Sequence, residues 1–398
     1  MIMETSDASS PPVEPELPAI PYARTTIALD AGHFARIRRA VELLFRIAHL
    51  GPYRALVDPG VDPVRGHEPG NHGVMMGYDF HMTEAGPRLI EINTNAGGAL
   101  LNGLRTAALC DPSELAGACS GLLSAEEMGA SVVETFRAEM RAVRGRGAAL
   151  RSVAIVDERP EEQFLRPEFE LFRELLEHSG IRAAVGDTSE LRRNGSGGIE
   201  LRGRPIDLVY LRDTDFALET PRAVPLREAY LAGNVVVTPS PREHHLLADK
   251  RRLALFSSQE SLARLGVGSE DAAFLSEMVP ETRLLGEMSF DEAWRSRRDW
   301  VFKPAARFGS RAVYRGDKIS KRKLQQIHPE GHYVAQRRVE PGAVQVAAEG
   351  GLQTMKFDVR AYAYRDQPLL LGARVYQGQV TNLRSPGGGF SAICVLAG

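Results

Sequence analysis

Apolar residues recur at helical spacing from Ala28 to Leu50, in FARIRRAVELLFRIAHL, and again from Pro112 to Arg144 around Leu115, Leu122, Met128, Val132, Phe136 and Met140. Such stripes predict two amphipathic helical stretches. Between them, GYDFHMTEAGPRLIEINTN alternates in the manner of two strands about the turn TEAGP. Alternation puts Glu91 and Asn93 on one face of the second strand, and Ile90 and Ile92 on the other, toward a core.

From Arg151 the pattern changes. SVAIVD, IRAAVGD, IDLVYLRD and NVVVTP read as short apolar strands, and EFELFRELLEHSG as a helix closed by Gly180. Apolar strands alternating with helices predict a parallel sheet covered on both faces. RRNGSGGIELRG has the composition of a hairpin turn. A helical segment begins near Asp249, and strand signals dominate after it: DWVFKPA and RAVYRG about a Gly-Ser turn, HYVAQRRV, and MKFDVRAYAYRDQPLLLGARVYQGQV with a polar turn at Arg365 to Gln367. The expected fold class is α/β (α+β) in four parts: a disordered tail over 1–22, N-terminal helices with the early strand pair over 23–150, a small doubly wound domain over 151–246, and a strand-rich region over 247–398.

Composition narrows the function. The 398 residues are 43% apolar and 25% charged with a formal charge of −2, an ordinary globular balance that excludes nucleic-acid binding by general phosphate attraction. Three unpatterned cysteines, Cys110, Cys119 and Cys394, fit a reducing compartment without a disulfide framework. No apolar run reaches membrane-span length, and the Pro-, Ser- and Glu-rich start has no basic and apolar signal region, so a cytoplasmic protein is expected. No G-x-G-x-x-G follows the first strand of the 151–246 region, and no G-x-x-x-x-G-K-[ST] occurs anywhere. His67, His72 and His81 lie close together, but their spacing matches no standard zinc site.

The candidate chemistry is concentrated in a few stretches. A hairpin brings Asp79 beside Glu91, and with Asn93 these supply hard oxygen ligands suited to Mg²⁺. Lys303 ends an apolar strand, and Gly309, Ser310 and Arg311 follow as a loop able to cover a polyphosphate. Lys250 offers a second cation at a helix start. The strand carrying Gln336, Arg337, Arg338 and Val339 stops at Pro341, which leaves backbone groups to read an adenine edge. Lys356, Asp358 and Arg360 share one strand face, and three charged residues there suit a charged ligand better than a core. Arg374 and Arg384 precede Gly387, Gly388 and Gly389, glycines able to form a closing lid.

Together these stretches resemble the ATP-grasp superfamily of carboxylate–amine ligases. KFDVRAYAY followed by PLLLGARVYQG is similar to a hairpin of tubulin tyrosine ligase-like enzymes, YVAQRRVEPG to their adenine-contacting segment, and DF followed by EIN to the metal triad. The order resembles that of eukaryotic-type glutathione synthetase, a circularly permuted ATP-grasp enzyme whose EIN strand also comes early. Arg307 stands where that branch carries an acid. The resemblance implies a permuted ATP-grasp fold with the small parallel-sheet domain inserted between its parts. It also implies ATP and Mg²⁺ as cofactors and small-molecule carboxylate and amine substrates. Asp79, Glu91 and Asn93 would take the metal, Lys250, Lys303 and Lys356 the nucleotide, and Asp358 the ribose; Arg360 and Arg374 would face the transferred phosphoryl or the substrate carboxylate. The expected activity is peptide-bond formation through an acylphosphate on an amino acid or small peptide. A kinase-like phosphotransferase and a non-catalytic nucleotide-binding protein are the alternatives, and oligomeric state is open, a homodimer included.

Overall fold

The computed structural model of the chain describes residues 20–109, 124–305, 312–329, 331–348, 351–379 and 381–396. Tyr22–Leu29 (β1) leads into the helix Ala31–Ala48, whose N-terminus is capped by Asp30. The hairpin Met76–Thr83 (β2) and Gly86–Asn93 (β3) precedes the helices Ala99–Leu109 and Ala125–Arg144. Ser124 and Glu127 form a reciprocal capping box that starts the second of these; the part of the predicted helix before 124 lies outside the described residues.

Ser152–Asp157 (β4), Arg182–Asp187 (β5), Leu191–Arg193 (β6), Ile199–Leu201 (β7), Arg204–Ile206 (β8), Leu208–Leu211 (β9) and Val236–Thr238 (β10) follow. β10, β9, β4 and β5 form a parallel sheet in that order, and β6 to β8 a small antiparallel one. The parallel sheet is buried on both faces because its strands are apolar on both. Val153 and Ile155 pack with Phe169, Phe172 and Leu176 of the helix Arg166–His178, while Ala154 and Val156 pack with Leu226 and Ala229 of the helix Val224–Leu231.

The strand-rich end contributes Thr282–Leu284 (β11), Trp300–Pro304 (β12), Tyr314–Arg315 (β13) and Tyr333–Arg337 (β14), an antiparallel sheet in the order β11-β14-β12-β13. It also contributes Gly342–Ala348 (β15), Gly351–Tyr364 (β16), Gln367–Tyr376 (β17) and Gly389–Val395 (β18). The largest sheet runs β1-β18-β17-β16-β2-β3. One edge of the long β16 is shared, its first half pairing with β15 and its second half, Val359 to Ala363, with β2. The early hairpin is thus completed by strands made some 280 residues later, Asp79 and Arg360 being 281 apart in sequence.

Three expectations change. Residues from Tyr22 form a strand paired in parallel with β18, where helices and the end of a tail were expected; Ala23, Ile27 and Leu29 are its buried side. Residues 1–19 lie outside the described part. The helix beyond Lys250 begins at Arg252, and Cys394 on β18 is disulfide-bonded, against the reading of the cysteine count. Among the described residues no helix is long and apolar enough to cross a membrane.

Candidate active site

Register places the candidate residues. Across the large sheet Glu91 of β3 lies opposite Asp79 of β2, Asp79 opposite Arg360 of β16, and Asp358 of β16 opposite Arg374 of β17. A bulge falls between Asp79 and Phe80, so Phe80 pairs with Leu89 and Ile90 is passed over. The bulge corrects the expected alternation: Leu89 and Ile92 enter the core, whereas Ile90 lines the cavity beside Glu91.

The charged face is internally paired. Asp79 is buried, and it accepts from Arg360 Nε at 2.5 Å and Nη2 at 2.7 Å. Its Oδ2 also lies 3.0 Å from Arg374 Nη2 and accepts from Asn93 Nδ2 at 3.1 Å. Arg374 Nε donates to Asp358 Oδ1 at 2.6 Å, and Thr381 Oγ1 to Asp358 Oδ2 at 2.7 Å. Two guanidinium groups therefore balance two carboxylates. Burial by itself would raise the Asp79 carboxyl; the two arginines outweigh it and hold the group well below the usual carboxylate range. Arg374 is pushed up by Asp358 and Asp79 against the opposing effect of burial.

The opposite wall comes from β12 and β14. Lys303 Nζ donates to Gln336 Oε1 at 2.7 Å and to the carbonyl of the bulged Ile90 at 3.0 Å, which ties the two sheets together. Burial pulls its ammonium down to about 8, partly countered by Glu91. Lys250 Nζ lies 3.2 Å from Glu91 Oε1. The cavity between the walls is about 660 Å³, within the roughly 300–1,000 Å³ range of small-molecule sites. Gln336 Nε2 is buried there without a hydrogen-bond partner, a donor that a ligand acceptor would satisfy.

The structure brings Asp79, Glu91, Asn93, Lys303, Gln336, Arg337, Arg338, Val339, Lys356, Arg360 and Arg374 to this cavity. The expected roles change in four places. Asp79 has both oxygens engaged by guanidinium and amide donors, three of them on Oδ2, so as placed it supports the site and does not present a free carboxylate to a metal. Glu91, a quarter exposed, and the Oδ1 of Asn93 are the oxygens that fit Mg²⁺. Asp358 is fully buried under Arg374 and Thr381 and does not line the cavity, so it orients Arg374 where a ribose contact was expected. The adenine-reading backbone is largely occupied: Arg337 and Arg338 donate to the carbonyls of Glu281 and Asp299, and the carbonyl of Val339 accepts from His81 Nδ1 at 2.8 Å. Finally, Gly388 and Gly389 are packed so tightly that a Cβ would lie 2.6 Å from the carbonyl of Val375 and 2.2 Å from that of Pro21. The loop segment facing the cavity is Gln379 with Thr381 to Arg384. Arg307, Gly309, Ser310 and Arg311 lie outside the described residues.

The cavity is also lined by Thr381, Arg315 and Tyr376, which the sequence did not single out, and by His81, which it weighed only as a zinc ligand. Their signal was weak: His81 meets the carbonyl of Val339, 258 positions on, and the others carry no motif that marks them as facing a cavity. His67 packs edge-on against Tyr230 at 4.8 Å and His81 belongs to the main cavity, so neither joins His72.

No family model and no curated protein matches the chain. Among solved structures, a glutathione synthetase-like effector from Globodera pallida in its apo form is similar at a TM-score of 0.61 and 10% identity, over 95% of this chain and 90% of that one. A putative gamma-glutamylcysteine synthetase from Methylobacillus flagellatus KT aligns at a TM-score of 0.48 and 13% identity, over 92% and 88%. The first likeness shows a shared fold of mixed α/β type.

Proposed function

We propose that the chain is an ATP-dependent carboxylate–amine ligase of circularly permuted ATP-grasp architecture, acting through an acylphosphate on an amino acid or small peptide. The observation that carries this reading is a cavity in which oxygen ligands of an early hairpin, a buried lysine, the buried Arg360 and the mostly buried Arg374 face one another in a fold shared with a glutathione synthetase-like protein. When bound, Mg-ATP would supply the activating phosphoryl group and neutralise its charge. Glu91 and the Asn93 amide oxygen would hold the metal. Lys303, poised near neutrality between Ile90 and Gln336, would take a phosphate oxygen. Arg360 and Arg374, fixed by Asp79 and Asp358, present guanidinium groups whose orientation needs no adjustment when a phosphoryl or carboxylate arrives. Gln336 Nε2 is the donor left for the nucleotide. The loop at Gln379 and Thr381 to Arg384, with Arg384 over the Phe164 ring at 4.9 Å, borders the cavity where water must be excluded from an acylphosphate.

A second reading, nucleotide binding without turnover, is favoured by one observation: the arginines occupy Asp79, which leaves fewer protein oxygens for metal. One assay separates the readings. A ligase releases ADP and free phosphate from Mg-ATP only when an acid and an amine are both present. A kinase-like phosphotransferase instead leaves the phosphate on its product, and a binding protein shows calorimetric Mg-ATP binding with no ADP. Absence of Mg-ATP binding would remove all three.

A further inference from the structure

Away from that cavity, three elements converge on a second group of ligand-type side chains. His49 caps the end of the helix Ala31–Ala48, His72 lies in the loop before β2, and Glu243 ends the short helix Pro241–Glu243, seven positions before Lys250. One ligand atom from each lies within 4.8 Å of the others. We propose that His49, His72 and Glu243 form a binding site for a divalent transition-metal cation of the zinc class.

The distances suit such an ion. Metal bonds of about 2.0–2.1 Å in tetrahedral geometry separate ligand atoms by about 3.4 Å. Glu243 Oε1 stands 2.9 Å from His49 Nε2 and 3.8 Å from His72 Nδ1, values that bracket this separation, and the two imidazole nitrogens lie within 4.8 Å of each other, so rotation of the His72 ring toward the other two ligands completes the set. Two unsatisfied atoms point to a missing partner. The Glu243 side chain is 2% exposed and its Oε2 has no hydrogen-bond partner, and neither does the buried Nδ1 of His72. A buried carboxylate oxygen and a buried imidazole nitrogen left unmatched in one cluster are costly unless a ligand satisfies them.

The supports are those expected around a metal. His49 Nδ1 bonds the carbonyl of Phe45 at 2.7 Å, which orients the ring so that Nε2 faces Glu243. The His72 loop is anchored by the buried Glu139, which accepts from the backbone N–H groups of His72 and Gly73 at 2.9 and 3.0 Å and from Asn71 Nδ2 at 2.7 Å. The Phe45 ring packs against both imidazoles, with centroids 4.2 and 5.3 Å away, and limits rotation away from the site. The histidine side chains are 14% and 25% exposed, so solvent reaches the fourth position and an ion can enter. Two imidazoles and one carboxylate match the borderline-soft, nitrogen-accepting character of zinc-class ions over the all-oxygen preference of the hard Mg²⁺.

The test titrates untagged full-length protein, stripped with chelator, with Co²⁺ alone. The expected result is a saturable set of visible bands of four- or five-coordinate Co²⁺ at one equivalent per chain, displaced by Zn²⁺, with a Zn²⁺-dependent rise in Tm. His72→Ala retains the contact between His49 and Glu243 and should weaken Co²⁺ binding at least about 100-fold with little change in metal-free Tm. Glu243→Gln should also abolish the bands. A titration without saturable bands, bands with thiolate charge-transfer character, or a His72→Ala protein that binds Co²⁺ as tightly as its parent would each overturn the proposal and leave a plain buried His–Glu contact.

Discussion

Replacing Asp79 by Asn tests whether this residue is a metal ligand or the centre of an arginine clamp. The carboxylate takes Arg360 Nε on one oxygen, and Arg360 Nη2, Arg374 Nη2 and Asn93 Nδ2 on the other. An amide has only one oxygen, so at best three donors are served while its NH₂ faces the Arg360 Nε. The four-group cluster also passes from neutral to a net charge of +1, with only Asp358 left against two buried guanidinium groups. Removing one partner of a buried pair costs about 3–5 kcal/mol, which lowers Tm by roughly 5–15 °C for a large domain. Ligand binding should change in the opposite direction. One unit of charge at ~8 Å in an effective dielectric of ~20 is worth about 2 kcal/mol, so metal-free tripolyphosphate should bind Asp79→Asn about 10- to 30-fold more tightly than the parent. Restoring neutrality with Asp79→Asn/Arg360→Met should recover part of the lost stability. Differential scanning calorimetry and isothermal titration measure both quantities. If Asp79→Asn melted within about 1 kcal/mol of the parent and lost Mg-dependent ATP binding without gaining affinity for tripolyphosphate, the clamp would be refuted and Asp79 would be a direct metal ligand.

Further outcomes follow from other parts of the molecule. Lys303→Met should raise the Kd for Mg-ATP about 10- to 100-fold, the worth of one charge-assisted hydrogen bond, with Tm little changed, because removal of a desolvated ammonium offsets the loss of its bonds to Gln336 and Ile90; unchanged affinity would take Lys303 out of the phosphate site. Glu91→Gln and Asn93→Ala should abolish turnover with the circular dichroism spectrum intact, and full activity in both would contradict the metal assignment. Gly98→Ala should cost roughly 2–5 kcal/mol, because Gly98 has φ +95° and a Cβ there would lie 2.4 Å from the Phe390 ring and 2.9 Å from the Tyr362 hydroxyl; a melt equal to the parent's would contradict that packing. Burial raises Asp157 to about 6, so its contribution to stability is fully present below the ordinary carboxyl pKa of about 4 and lost as pH rises through about 6. Asp157→Asn should therefore stabilise the protein by about 2–3 kcal/mol at pH 7.5 and not at pH 4, and an equal gain at both pH values would contradict the shift.

Much of the fold was legible because its elements carry local patterns. The parallel strands are apolar on both faces and the β16–β17 hairpin has a polar turn, so neither needs a distant partner to be recognised. β1 was missed because YARTTIAL has its partner at the other end of the chain, on β18, and no local period reveals a parallel neighbour. In the site, residue types and strand faces were legible, but the pairing among them was not. Asp79, Arg360, Arg374 and Asp358 do come together on neighbouring strands, yet which of them meet ligand depends on which satisfy one another. The bulge at Asp79 shows the same limit: one unpaired residue moves Ile90 from core to cavity and turns its carbonyl to Lys303, and nothing in LIEIN announces it.

The order of assembly follows from these pairings. β2 and β3 are made early, but their neighbour β16 and the arginines that balance Asp79 come from the last 50 residues. Until then the hairpin carries a carboxylate destined for full burial without its counter-charge, and an unpaired strand edge at β2. Burying that charge alone costs several kcal/mol, and closing so long a loop adds entropy that local contacts do not offset. Docking of the hairpin onto a β16–β17 hairpin already formed avoids that cost, because the Asp79–Arg360 contact then brings the counter-charge together with the strand edge. Any ligand that bridges Glu91 on one side and Lys303 or Arg374 on the other then binds only the completed chain, and its binding free energy adds directly to the stability of that late junction.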